Sequence, residues 1–144
     1  MPGDIDRLLK YIVHHYTARE EIKDVELDAS AADDIVAGQR RALREEEQRA
    51  EALAAPFREG LRRAEAARRA GGDAISLDDR DPQDNLIADA LVHFLVGPGM
   101  ATSSTRETEP MHYIYTISID WDQVAAVARR ANVDLDAVIN RAGA

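Results

Sequence analysis

Residues Asp84 to Val96, Asp-Asn-Leu-Ile-Ala-Asp-Ala-Leu-Val-His-Phe-Leu-Val, are the stretch that most restricts how this chain can fold. They form the most apolar run in the sequence, and the other helical segments are too polar to build a core without it. At helical spacing, Leu86, Ala90 and Phe94 fall on one row and Ile87, Leu91 and Leu95 on the next. These i, i+4 neighbours merge into one wide apolar face. Val92 and Val96 widen it, while Asn85, Asp89 and His93 form the polar row. So apolar a helix is packed on more than one side. The run therefore predicts a central helix over 83–96, with Pro82 near its first turn, where proline fits.

The other segments are partners of unequal quality. Ile5, Leu8, Leu9, Ile12, Val13 and Tyr16 repeat with the helical period and predict an amphipathic helix over 4–18, capped by Asp4. A capping-box variant, Ser30 to Asp33, opens a helical pattern that runs to about residue 70. Its large apolar residues are sparse, and none lies between Leu43 and Leu53, so this segment (31–70) is expected to project partly into solvent. Pro56 is expected to bend it or to split it into helices over 31–54 and 57–70. His112 to Asp120 alternates β-branched and aromatic residues and predicts a strand. A lone strand cannot stand, so it must pair with 22–28, with 74–77 or with a second copy of the chain. Residues 97–110, Gly-Pro-Gly followed by a Thr, Ser and Glu-rich run, read as a flexible surface loop. Residues 121–142 close the chain as an αα-hairpin. The expected fold class is mostly α with a minor antiparallel β element, in a single domain over 1–144.

Composition narrows the function classes. The chain has no cysteine, which removes disulfides and thiolate metal sites. No apolar run approaches the roughly 18 residues that cross a bilayer, and the first residues lack a signal-peptide pattern, so a soluble cytoplasmic protein is expected. The net charge of −9 opposes wholesale attraction to nucleic acid or anionic membrane. Lys10 and Lys23 are the only lysines among 18 basic residues, and with abundant alanine this resembles the usage of a GC-rich bacterium or its phages. The charge is uneven: residues 40–70 hold nine basic and six acidic side chains, between strongly acidic neighbours. The segment as a whole suits internal complementarity or a partner with patches of both signs, and Arg58, Arg62, Arg63, Arg68 and Arg69 are candidates for holding an acidic protein partner or phosphates, with a solvated face as the other reading.

Three constellations are candidates for chemistry. Val124 to Arg141 resembles the helix-turn-helix of LacI-type bacterial repressors. Ala128 is small where the helices touch, Asn132 tolerates a left-handed turn, and Val133 and Val138 close the small core. The resemblance implies a recognition helix from Asp134 in the major groove, with Arg129, Arg130, Asn140 and Arg141 toward DNA. It departs from the pattern at Asp134 and Asp136, which would face phosphates. Second, Asp89 and His93 stand i, i+4 on the central helix, a spacing that lets two side chains share one cation, with His14, His15 or His112 as a third ligand. Third, Ile87 to Leu95 resembles the second metal-binding helix of the all-α nucleotide pyrophosphohydrolases. Glu45, Glu46, Glu47 and Glu51 would stand for the acidic cluster of the first. That resemblance implies Mg²⁺-dependent diphosphate chemistry, but Leu86 occupies the position of a ligand glutamate. Neither a Gly-rich phosphate loop nor a Gly-x-Ser-x-Gly elbow occurs. The leading expectation is a non-enzymatic accessory factor, without a cofactor, that binds a partner protein through helical surfaces and forms an oligomer.

Overall fold

A computed structural model describes residues 3–17 and 32–140. Helix α1, Asp4–Ile12, buries Leu8, Leu9 and Ile12, as the apolar period requires, and continues as a π-helical turn, Val13–Thr17. Gly3 is its N-cap, one residue earlier than expected; Asp4 is the first helical residue and pairs with Arg7. Helix α2, Ala32–Arg69, runs 38 residues with Pro56 inside it, so the segment is one helix and not two. Proline inside a helix costs about 3 kcal/mol. Phe57 and Leu61, just beyond it, are fully buried, and two such side chains return about 3–6 kcal/mol, so the helix continues. Its N-terminal arm does project: between residues 36 and 45 no side chain is buried, and Glu46 is the first that is.

The central helix α3, Pro82–Leu91, is capped by Asp81, whose carboxylate accepts from the backbone N–H groups of Gln83 and Asp84, and Pro82 sits in the first turn as expected. It extends through a second π-helical turn, Val92–Val96. Ile87, Ala90, Leu91, Phe94 and Leu95 are wholly buried, but the apolar face is narrower than the sequence suggests, with Leu86 48% and Val92 40% exposed. Phe57 and Phe94 meet edge to face at 6.0 Å. Gly60 brings α2 against α3 so closely that a Cβ there would lie 2.8 Å from Leu91 Cδ1.

Strands β1, Ile75–Asp78, β2, Ala101–Glu109, and β3, His112–Ile119, form an antiparallel sheet in the order β1-β3-β2. Ile75, Leu77, Ile117 and Ile119 face the helices and are buried. Of the expected partners for β3, 74–77 is realised, with Leu77 opposite Tyr115; 22–28 lies outside the described residues, as does Ser30 of the capping box. The expected loop over 97–110 is corrected: only 97–100 is a turn, and 101–109 is a strand. Its alternation is invisible because both faces are polar and exposed beyond Ala101, yet threonine favours the pleated backbone. The hairpin closes through Pro110-Met111, with Met111 at φ 66°, a conformation usually left to glycine or asparagine.

Helix α4, Trp121–Arg130, and helix α5, Leu135–Asn140, form the αα-hairpin, and Asn132 takes the left-handed turn (φ 57°). The fold is mostly helical, with one small antiparallel sheet, and its buried side chains form one core. No helix among the described residues is long and apolar enough to cross a membrane.

Two outcomes follow. Phe94→Ala is expected to cost about 3–5 kcal/mol in urea unfolding, whereas Leu86→Ala, on the exposed side of the same helix, stays within about 0.5 kcal/mol. The second concerns acid. Asp120 caps α4, and hydrogen bonds from the Gln123 side chain and backbone N–H hold its pKa below the ordinary carboxylate value. Its contribution is therefore complete above the unfolded value of about 4 and is lost as pH falls through the lower folded value. Asp120→Asn, which keeps a capping acceptor, is expected to flatten that part of the acid-unfolding profile.

Candidate functional site

Glu46 is a carboxylate in a core position. It lies on the same stripe of α2 as Ala50, Phe57 and Leu61, at spacings of 4, 11 and 15, and it is 2% exposed. A buried carboxylate needs partners. His93 Nε2 lies 2.6 Å from Glu46 Oε2, and Arg49 donates to Glu46 Oε1 at 3.1 Å. The same Arg49 nitrogen rests against the imidazole, 3.1–3.2 Å from its two ring nitrogens. These three side chains lock α2 to α3 by polar contacts just beyond the Phe57–Phe94 contact.

The network edges an open cleft of about 520 Å³. Leu53, Ala88, Val92 and Tyr115 make its apolar floor; Arg49, His93, Asn85 and Asp89 make its polar rim. On the far side of His93 a second hollow of about 370 Å³ follows, lined by Tyr16, Thr17, Val96, Gly97 and Pro98, with Val92 and His93 common to both. Both π-helical turns contribute to this second hollow. Such turns are uncommon and frequently occur at functional positions. Together the hollows form a trough along the exposed side of α3.

Asp89 and His93 therefore share one cleft, and His93 also meets Glu46. Among the described residues, the only group of three such ligands within 4.8 Å of one another is Asp78, Asp79 and His112, elsewhere in the fold. The acidic cluster of the pyrophosphohydrolase resemblance is also dispersed. Glu46 faces α3, Glu47 meets His14 at 3.2 Å, and Glu51 lines a hollow with Asp6 and Lys10 on the α1 side. Consecutive helical positions point in different directions, so these carboxylates do not converge on Asp89.

Four of the five candidate arginines serve the fold itself. Arg58 donates to the backbone oxygen of Val138 (2.9 Å) and so ties α5 to α2. Arg63 binds Asp84 at 2.8 Å, a contact that raises its pKa still further. Arg68 and Arg69 both reach the buried Glu65, and Arg68 also covers the Trp121 ring at 4.8 Å. Arg62 is exposed. Internal pairing thus engages four of the five, while the side chains of Arg62, Arg68 and Arg69 stay exposed.

The C-terminal hairpin has the expected turn but faces inward. Ala137, Val138 and Ile139 are buried against the body, leaving Asp134, Asp136 and Asn140 exposed on or beside α5; Arg141 lies outside the described residues. Arg129 and Arg130 are exposed at the end of α4, where Arg130 donates to the Tyr16 hydroxyl at 3.2 Å. The face of α5 left to solvent is thus acidic. Arg49, Leu53 and Tyr115 escaped the sequence reading. Their positions were readable, but nothing in the sequence brings β3 against α2. No protein-family model, curated protein or solved structure matches this chain.

Glu46→Ala is expected to destabilise the protein by about 1–3 kcal/mol, because Arg49 and His93 lose a shared acceptor yet reach water. Calorimetric unfolding checks this. Glu46→Gln should recover part of the loss.

Proposed function

We propose that this chain is a non-enzymatic interaction factor whose trough along α3 receives a segment of a partner protein. The observation that carries this reading is the pairing of an exposed apolar floor, centred on Val92 and Tyr115, with a rim held rigid by the buried Glu46. A floor of this kind takes an apolar anchor, and a rim with both donors and acceptors takes peptide groups. A volume of about 520 Å³ suits one or two large side chains, and the hollow beyond His93 gives the segment a second subsite. The partner chemistry is therefore a short peptide segment with two apolar anchors separated by a polar residue. The sides of α2 and α3 supply most of the contact, in keeping with binding through helical surfaces.

Selection of displayed random peptides on the full-length chain tests this. Enriched peptides are expected to carry paired apolar anchors and to lose at least about tenfold in affinity against Val92→Glu, a loss of some 1.4 kcal/mol. Peptides indifferent to Val92→Glu, or no enrichment, would remove the reading. Light scattering is the companion measurement: a mass of two chains that Val92→Glu halves would assign the trough to a second copy instead.

A further inference from the structure

We propose that Asp78, Asp79 and His112 form a binding site for a divalent transition-metal ion of the Zn²⁺ or Mn²⁺ class. Asp78 ends β1, Asp79 begins the turn into α3, and His112 opens β3, so the sheet brings the three donors together from distant parts of the chain. Their ligand atoms lie within 4.8 Å of one another, with His112 Nε2 2.7 Å from Asp78 Oδ1 and 3.9 Å from Asp79 Oδ1.

Two further observations separate this group from ordinary surface acids. Asp79 Oδ1 is shut off from solvent and has no hydrogen-bond partner, an expensive state for a carboxylate oxygen and one that a cation between the donors relieves. The imidazole is also oriented from behind. Thr108 Oγ1 lies 3.1 Å from His112 Nδ1 and 3.5 Å from the His112 carbonyl oxygen. With the hydroxyl donating to that carbonyl, its oxygen accepts from Nδ1–H and leaves the Nε2 lone pair aimed at the two carboxylates. That is the arrangement by which second partners orient metal-binding histidines. Nε2 and Asp78 Oδ1 are then two acceptors 2.7 Å apart, which a cation or an added proton must reconcile.

The donors are also held in place. Asp78 N–H donates to Asp84 Oδ2 at 3.0 Å, Asp79 N–H donates to the Tyr113 oxygen at 3.1 Å, and Arg80 N–H donates to Asp78 Oδ1 at 2.9 Å. Two carboxylates balance the charge of a dication, and the imidazole favours Zn²⁺ or Mn²⁺ over the oxygen-loving Ca²⁺. Asp78 keeps 43% of its side-chain surface exposed, so water can reach the site from that side and complete the coordination. The ion would clasp the turn before α3 to the start of β3.

The test uses the full-length chain stripped with chelator and titrated with Zn²⁺, followed by calorimetry and by ¹⁵N signals of the histidine rings. Stoichiometric binding is expected, with a rise in melting temperature. His112→Ala or Asp79→Asn should each weaken it at least about tenfold, and Asp89→Asn should leave it unchanged. In the unmodified chain the His112 Nε2 signal is expected to move with Zn²⁺ while His93 does not, which decides the matter even if a variant misfolds. Absence of stoichiometric binding, binding that survives His112→Ala or follows His93, or His112 signals that answer pH and not Zn²⁺ would overturn the site. The last result would leave an imidazolium–carboxylate pair.

Discussion

The structure depends on the contact in which Phe94 and Leu91 of α3 meet Phe57, Gly60 and Leu61 of α2. Gly60 lacks a side chain where the helices come closest, which lets Leu91 lie over the backbone of α2. Every other element is placed by that crossing. The helix α1 packs across α2, the sheet lies against α3, and the last helix of the C-terminal hairpin packs on α2 and α1, with Val138 and Ile139 in the core. A long polar helix with few apolar residues is stable here because those few are concentrated at the crossing. The arm before Glu46 adds length and charge to the surface, with the half-buried Leu43 packed against the core.

How much of this was legible in the sequence depended on whether the signal was local. The central helix, the period of α1, the strand after His112 and the left-handed turn at Asn132 are written in short windows of residue type, and the chain folds as those windows indicate. The misreadings are equally physical. Strand β2 offers no alternation because neither face is buried, so period-based reading returns a loop. Pro56 reads as a break until the burial of Phe57 is known. Glu46 looks like one acid in a row of three, although its position on the Ala50–Phe57–Leu61 stripe marks it as buried. Of the candidate site, His93 and Asp89 were visible as a pair. Their separation, and the arrival of Arg49 and Tyr115, come from tertiary contact alone.

The treatment of charge has a common pattern. Glu46 and Glu65 are buried carboxylates on one helix, four or fewer residues from the arginines that meet them. Such pairs contribute little individually when one partner is exposed. Their effect lies in orientation: Arg68 is drawn over Trp121, and His93 is turned toward the trough wall. Several arginines in the middle of the chain are thereby paired with carboxylates of the same helix while their own side chains stay at the surface.

Among the described residues strand β2 pairs with β3 alone, so none of them covers its other lateral border. A row of open amide and carbonyl groups invites stacking of like chains into fibrils, and a polar ribbon fixes register weakly. Here Arg106, Glu107 and Glu109 stud that border with charge, and the register slips between Glu107 and Glu109, which interrupts the ladder. The irregularity near Thr108 thus acts as a guard against uncontrolled lateral growth while leaving the hairpin intact.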